Sequence, residues 1–178
     1  MTHRPEEITR YQFSPSDELL LDTNIWLLVY GPQKPGDPRV DVYSQAFSKI
    51  LTAKSRIYID VLIVSELINV WIKQHRKLVA PRTKNLKEFR ESADFKPVAH
   101  TIAADVKRVL RHCIRVADGF ELLAIESLID EYALGDFDFN DQVLTALCKR
   151  TGLKLVTDDG DFKGREIPVI TANRRLLD

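Results

Sequence analysis

The sequence predicts an α/β protein in which a central, mostly parallel sheet lies between helical layers, a three-layer α/β/α architecture. Two observations predict it. Short runs of consecutive apolar residues alternate with longer segments in which apolar residues recur at helical spacing, and such runs are typical of strands buried on both faces. The runs also end abruptly in acidic or other polar side chains, as strands do at the ligand-binding edge of an open α/β sheet. The 178 residues suffice for one domain with a proper core.

The first half of the chain is predicted to contain two strands and three helices. Asp22 ends the first apolar run, and Asn24 is expected to cap the helix that follows it. Glu66 lies in the first turns of the helix after the second strand, among apolar neighbours, where an unpaired buried carboxylate would be costly. In order, the elements are a strand at 18–22, a helix at 24–30, a loop rich in proline and glycine at 31–38, a helix at 40–53, a strand at 56–60 and a helix at 61–78.

The second half repeats this pattern of polar residues at strand ends and in first helical turns. Asp141 lies in the first turn of a helix, and the strand after that helix ends in Thr157, followed by Asp159 and Asp161. Pro168 has no N–H to donate, which predicts an edge position for the last strand. In order, the elements are a helix at 97–114, a loop with a short strand at 115–125, a helix at 126–134, a helix that begins in the acidic stretch 136–141 and ends near 151, a strand at 153–157 and a strand at 167–171.

The domain organisation predicted from these patterns is a single domain over residues 18–172. Residues 1–17 are polar and contain two prolines, so we expect a loosely held leader. A basic helical insert spans about 73–98, and residues 173–178 form a tail.

Composition narrows the class of protein. The formal net charge is zero and charged residues make up 29% of the chain, so bulk charge predicts neither a nucleic-acid nor a membrane partner. Cys113 and Cys148 have no metal-like spacing and are expected to be buried thiols in a reducing compartment. No apolar run is long enough to span a bilayer and no signal core is evident, so a cytoplasmic location is expected.

The positive charges are clustered even though the total charge is zero. A basic run begins in the middle of the helix at 61–78, and a second lies at the end of the helix at 97–114. Each run could be no more than a solvated helix face, but two runs beside an acidic site could follow a phosphate backbone. The candidate RNA-binding residues are Lys73, Arg76, Lys77, Arg82 and Lys84.

Carboxylates occur at four separate strand ends or first helical turns. Turn formation and helix capping could explain one or two of them, but if they converge, their mutual repulsion must either raise their pKa values or recruit cations. Carboxylate oxygens without a histidine pattern favour Mg²⁺ or Mn²⁺ over zinc, and such sites support phosphodiester cleavage. The carboxylates are Asp22, Glu66, Asp141 and the pair Asp159 and Asp161.

In their order along the chain, four motifs resemble the PIN domain, the fold of the toxin ribonucleases of VapBC toxin–antitoxin systems and of RNA-processing nucleases. The resemblance covers roughly residues 18–172 and implies an endoribonuclease that uses one or two Mg²⁺ or Mn²⁺ ions, with a possible antitoxin partner and a homodimer. The motifs are Leu-Leu-Leu-Asp22-Thr-Asn24, Val-Ser-Glu66-Leu-Ile-Asn69, Asn-Asp141-Gln-Val-Leu-Thr-Ala and Leu-Val-Thr157-Asp-Asp159-Gly-Asp161-Phe162.

The resemblance also implies roles for individual residues. Asp22, Glu66, Asp141 and Asp159 match the family's catalytic, metal-ligating acids, and Asp161 would be an auxiliary metal ligand. The supporting hydrogen bonds would come from Asn24 and Thr157. Asp158 falls on a variable position of the pattern and receives no role.

Three alternatives stay open at this point. A haloacid-dehalogenase-like phosphatase would use Asp22 as nucleophile, but its usual second Asp is replaced here by Asn24. A non-catalytic RNA-binding module of the same fold would be expected to lose the acids that this chain keeps. Within the nuclease interpretation, the extra length at 31–38 and 73–98 leaves open whether the protein is a toxin or a housekeeping RNA-processing enzyme.

Overall fold

The computed structural model describes residues 3–32, 36–117, 119–135 and 138–178. Parts of the predicted loop at 31–38 (residues 33–35) and of the acidic stretch 136–141 (residues 136 and 137) lie outside these ranges. The elements are β1 (Glu6–Glu7), β2 (Glu18–Leu21), α1 (Thr23–Tyr30), α2 (Pro38–Ala53), β3 (Arg56–Ile59), α3 (Val61–Val79), α4 (Leu86–Glu91), α5 (Phe95–Arg111), β4 (Cys113–Arg115), α6 (Ile125–Ala133), α7 (Phe139–Thr151), β5 (Lys154–Val156), β6 (Val169–Thr171) and α8 (Arg174–Leu177). Short 3-10 helices cover Phe120–Leu122 and Gly160–Phe162.

The described strands form one sheet in the order β1-β6-β5-β2-β3-β4, and every neighbouring pair is parallel. From β2 the chain moves outward through β3 to β4 and then returns to β5 on the other side of β2. The carboxyl ends of β2 and β5 therefore flank the point where the strand order reverses. Open α/β sheets bind their ligands at such a switch point.

The core explains why β2 reads as a continuous apolar run. Leu19, Leu20 and Leu21 are all completely buried, and β2 has a hydrogen-bonded strand on each side. Helices flank the sheet: α1 packs against α2 and α3, α3 packs against α4 and α5, and α6 packs against α7. A strand covered in this way must be apolar in all of its inward positions, which is the pattern that the sequence shows.

Aspartates begin several of the helices. The side chain of Asp22 accepts a hydrogen bond from the Thr23 N–H at the start of α1, and Asp60 caps α3 in the same way through the Ile63 N–H. The predicted cap of α1 was Asn24, which instead lies inside the helix. Its side chain is thereby free to reach β5, as described below.

The described part of the predicted leader is joined to the sheet, so the expectation of a loosely held segment is wrong for residues 6–17. β1 pairs with β6, Ile8 is completely buried and its N–H donates to the Thr171 carbonyl at 2.8 Å. Asp17 is also buried. The paired strand has only two residues, and one buried isoleucine in a polar stretch gives too little periodicity to reveal it.

Two boundaries in the second half differ from the prediction. β6 is an interior strand because β1 covers it, and Pro168 precedes it, where its carbonyl accepts from the Leu155 N–H at 2.9 Å. The predicted helix at 97–114 ends at Arg111, and the expected short strand comes earlier than predicted, as β4. The predicted tail contains α8, whose Leu176 is buried.

The basic insert at about 73–98 is built on apolar anchors. Phe89 of α4 is completely buried, and its ring packs edge-on against Phe95 of α5 at 5.7 Å.

Cys113 and Cys148 are both free thiols. Within the described ranges, no helix has the length and apolar character needed to cross a membrane.

Candidate active site

Asp22 is the central acid of the site and is held from three directions. It follows β2 at the switch point and is 6% exposed. One carboxylate oxygen accepts from the Thr23 N–H at 2.6 Å. The other accepts from the Asn24 amide and from the Thr157 hydroxyl, the latter at 2.7 Å. The ends of β2 and β5 are thus connected through this one carboxylate.

Thr157 links the two strand ends more widely. Its hydroxyl also accepts from the Asn24 amide at 3.1 Å and from the Asp159 N–H at 3.0 Å. The Asn24 carbonyl oxygen in turn accepts from the Asp158 N–H at 3.1 Å. The two residues predicted to support the site therefore orient both Asp22 and the turn after β5.

Glu66 reaches the same place from α3. Its carboxylate accepts a hydrogen bond from the Thr23 hydroxyl at 2.9 Å. The side chain is half-buried, which resolves the question raised by its apolar neighbours: it points into a polar site and not into the core. Thr23 was not predicted, although it stands between the two residues, Asp22 and Asn24, that drew attention to this stretch.

Asp141 and the pair Asp159 and Asp161 complete the set. Asp141 lies in the first turn of α7 and is half-buried. Asp159 caps the short 3-10 helix after β5 by accepting from the Asp161 N–H at 3.0 Å. Asp161 is exposed, in keeping with the auxiliary place that the sequence assigned to it.

All five predicted acids line one cleft of about 330 Å³, which we call the acid cleft. Asp138 at the start of α7 adds a sixth carboxylate. Among the described residues that line this cleft, none is Lys, Arg or His. The lining residues are Asp22, Thr23, Asn24, Leu27, Glu66, Asp138, Asn140, Asp141, Asp159 and Asp161.

The environment of Asp22 favours its protonated form. Burial is the largest cause and the charges of Glu66 and Asp159 add to it, so that the pKa of Asp22 rises to about 7 despite the opposing hydrogen bonds from Thr157 and Thr23. An ionised carboxylate at this position is thus strongly destabilised without a cation.

Asp141 experiences the same two effects. Burial is the largest cause and the charges of Asp22 and Asp159 add to it, so that the pKa of Asp141 rises to about 7. The guanidinium of Arg165 opposes this rise from outside the cleft lining. Burial in turn lowers the pKa of Arg165. Arg165 is a residue that the sequence analysis missed, since it follows a Gly in a stretch without periodicity.

The donor set fits a hard divalent cation. Carboxylate and amide oxygens are the ligands that Mg²⁺ and Mn²⁺ prefer, and a bound cation would relieve the repulsion that raises both pKa values. In the described residues, no three His, Cys, Asp or Glu side chains already form a ready-made ligand set. Mg²⁺ commonly keeps several waters and uses one or two carboxylates, so the cleft suits an ion held by few direct protein ligands.

The chain matches the family model of the PIN domain over residues 19–167, most of its length. The chain belongs to the PIN domain family. The fold is similar to that in the crystal structure of PAE2754 from Pyrobaculum aerophilum, with a TM-score of 0.53 over 99% of this chain and 96% of that chain. Sequence identity is 16%, so this likeness concerns the fold. A comparison with curated protein sequences finds no significant match.

Membership of the PIN family places the chain in a nuclease superfamily whose members generally depend on metal ions. It also removes the haloacid-dehalogenase-like alternative for Asp22. The PIN-type arrangement predicted from the sequence, a central sheet flanked by helices, is confirmed, and the described sheet is parallel throughout.

Two residues that brace the carboxyl edge of this PIN domain, Tyr43 and Asn173, were missed. The hydroxyl of buried Tyr43 donates to Asp158 at 2.8 Å and accepts from the Ala172 N–H at 2.9 Å. Asn173 donates to the Asp158 carbonyl at 2.6 Å. The available signal was the recurring pattern itself, because β6 also ends in polar residues, Thr171 and Asn173.

The basic residues predicted to bind RNA lie apart from the acid cleft. Lys73 and Lys77 are exposed on the second half of α3, and Arg82 and Lys84 are exposed in the loop after it. Arg76 is half-buried, and its guanidinium donates to the Thr83 carbonyl. Arg76 therefore has a visible role in holding this loop, whereas the role of the other four residues in binding RNA stays a prediction.

Proposed function

We propose that this PIN domain protein is a Mg²⁺- or Mn²⁺-dependent endoribonuclease. The observation that carries the proposal is the acid cleft, in which Asp22, Glu66, Asp141, Asp159 and Asp161 meet at the switch point of the sheet. Two of these acids have pKa values of about 7 in the absence of a cation. Buried acids without a neutralising partner reduce stability, so their accumulation at one ligand-binding edge favours a functional explanation.

In this proposal Asp22, Asp141 and Asp159 would hold one or two ions, with Asp161 as an auxiliary ligand. A bound divalent ion in such a site supplies neutralisation of the phosphate charge that develops during cleavage. Glu66 would either ligate a metal ion or orient the attacking water. Thr23 restrains the Glu66 carboxylate at 2.9 Å, which suits an orienting role.

Thr157 and Asn24 would orient Asp22 into the cleft and partly offset the effects that favour its protonated form. Both donate to the same oxygen of Asp22, and hydrogen bonds to a carboxylate favour its charged form. The oxygen that accepts from the Thr23 backbone is held at the start of α1. The carboxylate therefore needs little reorganisation when a cation or a substrate phosphate enters.

The test is cleavage of a panel of end-labelled single-stranded and structured RNAs, with and without Mg²⁺ or Mn²⁺. We expect cleavage that requires both the metal and Asp22. The Asp22→Asn variant should remain folded and inactive, while Asp105→Asn on α5, outside the acid cleft, should cleave as the wild type does. Full activity of Asp22→Asn would exclude the proposed role of the cleft.

The same assay separates the enzyme from a non-catalytic RNA-binding module of the PIN fold. A module would bind RNA and leave it intact under every metal condition. The narrower prediction, a toxin of a type II toxin–antitoxin pair acting in the cytoplasm with an antitoxin partner and as a homodimer, is tested by expression in cells. Growth arrest that Asp22→Asn abolishes would support a toxin, and normal growth would favour an RNA-processing enzyme.

A further inference from the structure

A second cleft opens directly beside the acid cleft and, unlike it, is lined by arginines as well as acids. Its volume is about 800 Å³, and it shares Asn24 and Asp159 with the acid cleft. Three arginines line it, each on a helix separate from the basic segment that the sequence highlighted. They are Arg39 at the start of α2 and Arg174 and Arg175 of α8, and we call this cleft the arginine groove.

The position of Arg175 is set by the turn that carries the acids. A Cβ atom added to Gly160 would meet the Arg175 Cδ at 3.5 Å and the Asn173 amide nitrogen at 3.8 Å. The stem of Arg175 thus lies over Gly160, the residue between Asp159 and Asp161. A guanidinium on this stem is placed within a side chain's length of the acid cleft.

The helix that carries Arg174 and Arg175 is anchored independently of both side chains. Leu176 of α8 is buried, and Asn173 donates to the Asp158 carbonyl at 2.6 Å. This anchoring matters because it converts a predicted tail into a wall of the site. It also means that the two arginines can be changed without removing the contacts that hold α8.

The three guanidiniums differ in their engagement. Arg39 is held by ion pairs to Asp37 at 2.6 Å and to Asp158 at 3.2 Å. Arg174 and Arg175 are exposed, and within the described residues neither forms an ion pair. Two arginines that are placed but not neutralised can bind an anion from solution, and guanidinium groups match phosphate oxygens in a bidentate geometry.

We propose that the arginine groove binds the phosphate backbone of the substrate strand on one side of the acid cleft, with Arg174 and Arg175 contacting phosphates and Arg39 bordering the path. The inference rests on the proposed function, since it names the surface that presents RNA to that site. It replaces the basic segment at 73–84 as the principal phosphate contact. None of the five residues predicted there lines the acid cleft or the arginine groove.

The groove also answers an electrostatic difficulty of the acid cleft. Six carboxylates repel a polyanion, and the divalent ion offsets that repulsion at the reacting phosphate alone. Flanking phosphates need cations of their own. Arginines on α8, packed against the turn that bears Asp159 and Asp161, supply them where the strand would leave the cleft.

The experiment is a fluorescence anisotropy titration of a short, labelled, single-stranded RNA of randomised sequence, in EDTA at a series of salt concentrations. The test protein carries Arg174→Gln and Arg175→Gln, which remove both charges but keep an apolar stem over Gly160. The matched control carries Lys73→Gln and Lys77→Gln on α3. Circular dichroism and thermal unfolding establish that both double variants are folded.

We expect the arginine variant to raise the Kd at least about tenfold and to reduce the slope of log K against log salt by about 1.4, since each phosphate contact to a single strand contributes about 0.7. The lysine variant should retain the wild-type Kd and slope. In cleavage assays with Mg²⁺, the arginine variant should raise KM with a much smaller change in kcat, because its residues hold flanking phosphates.

The outcomes distinguish this inference from the proposed function. Metal-dependent cleavage with an unchanged KM and salt slope in the arginine variant would contradict the proposed role of the arginine groove and support the proposed nuclease activity. RNA binding that depends on Arg174 and Arg175 but is not followed by cleavage would contradict the proposed nuclease activity and support the role of the arginine groove. Weakened RNA binding in the lysine variant alone would show that the basic segment, and not the arginine groove, contacts the phosphates. Absence of RNA binding by the wild type would contradict the proposed role of the groove.

Discussion

The strand β2 has a buried aspartate at each end, and the two are treated in opposite ways. Asp17 precedes the strand and is 4% exposed, while Asp22 follows it and is 6% exposed. They are the same residue type, separated by the four residues of one strand. Their surroundings alone differ.

At the amino end, the charge of Asp17 is compensated by nearby donors. Lys154 donates to its carboxylate at 2.8 Å, Tyr11 at 2.8 Å, and the Ser14 N–H at 2.8 Å. Burial by itself would raise the pKa of Asp17, but the hydrogen bonds from Lys154, Tyr11 and Ser14 outweigh it and lower the pKa. This end of the sheet is arranged for stability and ties the first residues of the chain to β5.

At the carboxyl end, Asp22 faces other acids. Burial and the charges of Glu66 and Asp159 together raise its pKa to about 7. A fold that stabilises the carboxylate at one end of a strand has no structural need to destabilise one at the other end. This contrast is what the proposed cation site would require at the carboxyl end, and it suggests three experiments.

The largest expected effect comes from exchanging either aspartate for asparagine. Asp22→Asn should lower kcat by about 100- to 1,000-fold, the scale of a single charge-stabilising group in a hydrolytic site. Its unfolding free energy without metal should stay within about 1 kcal/mol of the wild type, because relief of repulsion offsets weakened hydrogen bonds. Urea unfolding in EDTA and steady-state cleavage measure the two quantities.

Asp17→Asn is the matched control and should behave in the reverse way. It should lose about 2 kcal/mol of unfolding free energy, since charged hydrogen bonds from Lys154 and others are removed. Its kcat, measured where the variant is fully folded, should equal that of the wild type. A loss of cleavage in folded Asp17→Asn would remove the distinction between the two ends.

The next effect is a dependence of stability on pH in the metal-free protein. Asp22 and Asp141 have folded pKa values of about 7, above their unfolded values, so the folded state binds more protons in this range. The unfolding free energy should therefore fall as pH rises from about 4 to about 7, by up to about 1.4 kcal/mol per pH unit for each proton released.

Asp17 does not contribute to that fall, because its lowered pKa keeps it ionised throughout the range. The stability that ionised Asp17 contributes is lost only as the pH falls below the ordinary pKa of an aspartate and through the lowered pKa of Asp17. Mg²⁺ should flatten the dependence, since a bound ion favours the ionised carboxylates. Urea unfolding at several pH values, with EDTA or Mg²⁺, tests this. A metal-free stability that rises with pH across the same interval would contradict the uncompensated state of Asp22 and Asp141.

The smallest effect is expected from Thr157→Val, which removes one hydroxyl and keeps the side-chain shape. Thr157 is completely buried and donates to Asp22 at 2.7 Å. Its loss should lower kcat about tenfold, as loss of a residue that orients a ligand does. Stability should fall by about 1 kcal/mol. Thr171→Val, at the end of neighbouring β6, should have a comparable cost in stability with little change in kcat, and equal losses of activity would refute a specific role for Thr157.

Which parts of the fold and of the candidate site could be predicted depends on whether they leave a pattern among neighbouring residues of the sequence. The strands β2, β3 and β5 were recognised because each contains a short run rich in apolar residues that stops at polar ones. The acids were found because they lie at the ends of those runs or in the first turns of helices, where polar residues interrupt an apolar pattern. β1 and α8 were missed because two paired residues and a four-residue helix are too short to show a period, and their stability depends on partners distant in the chain.

The charged residues illustrate the same limit. The run at 73–84 stood out because its members are close in sequence, yet Arg76 is engaged in holding a loop. The arginines beside the acids come from α2 and α8, 135 residues apart at Arg39 and Arg174. A groove assembled from such distant positions leaves no local pattern.

The sequence by itself determined the α/β class, the succession of the main strands along the chain, and the presence of acids at strand ends and in first helical turns, because these depend on local periodicity and on the residues that stop it. The tertiary structure decided which aspartate is compensated, since Lys154 and Tyr11 reach Asp17 while Glu66 and Asp159 surround Asp22. It also decided that α8 forms a wall of the site. The electrostatic environment of a side chain is set by its distances to residues that are remote in sequence, and local sequence patterns do not give those distances.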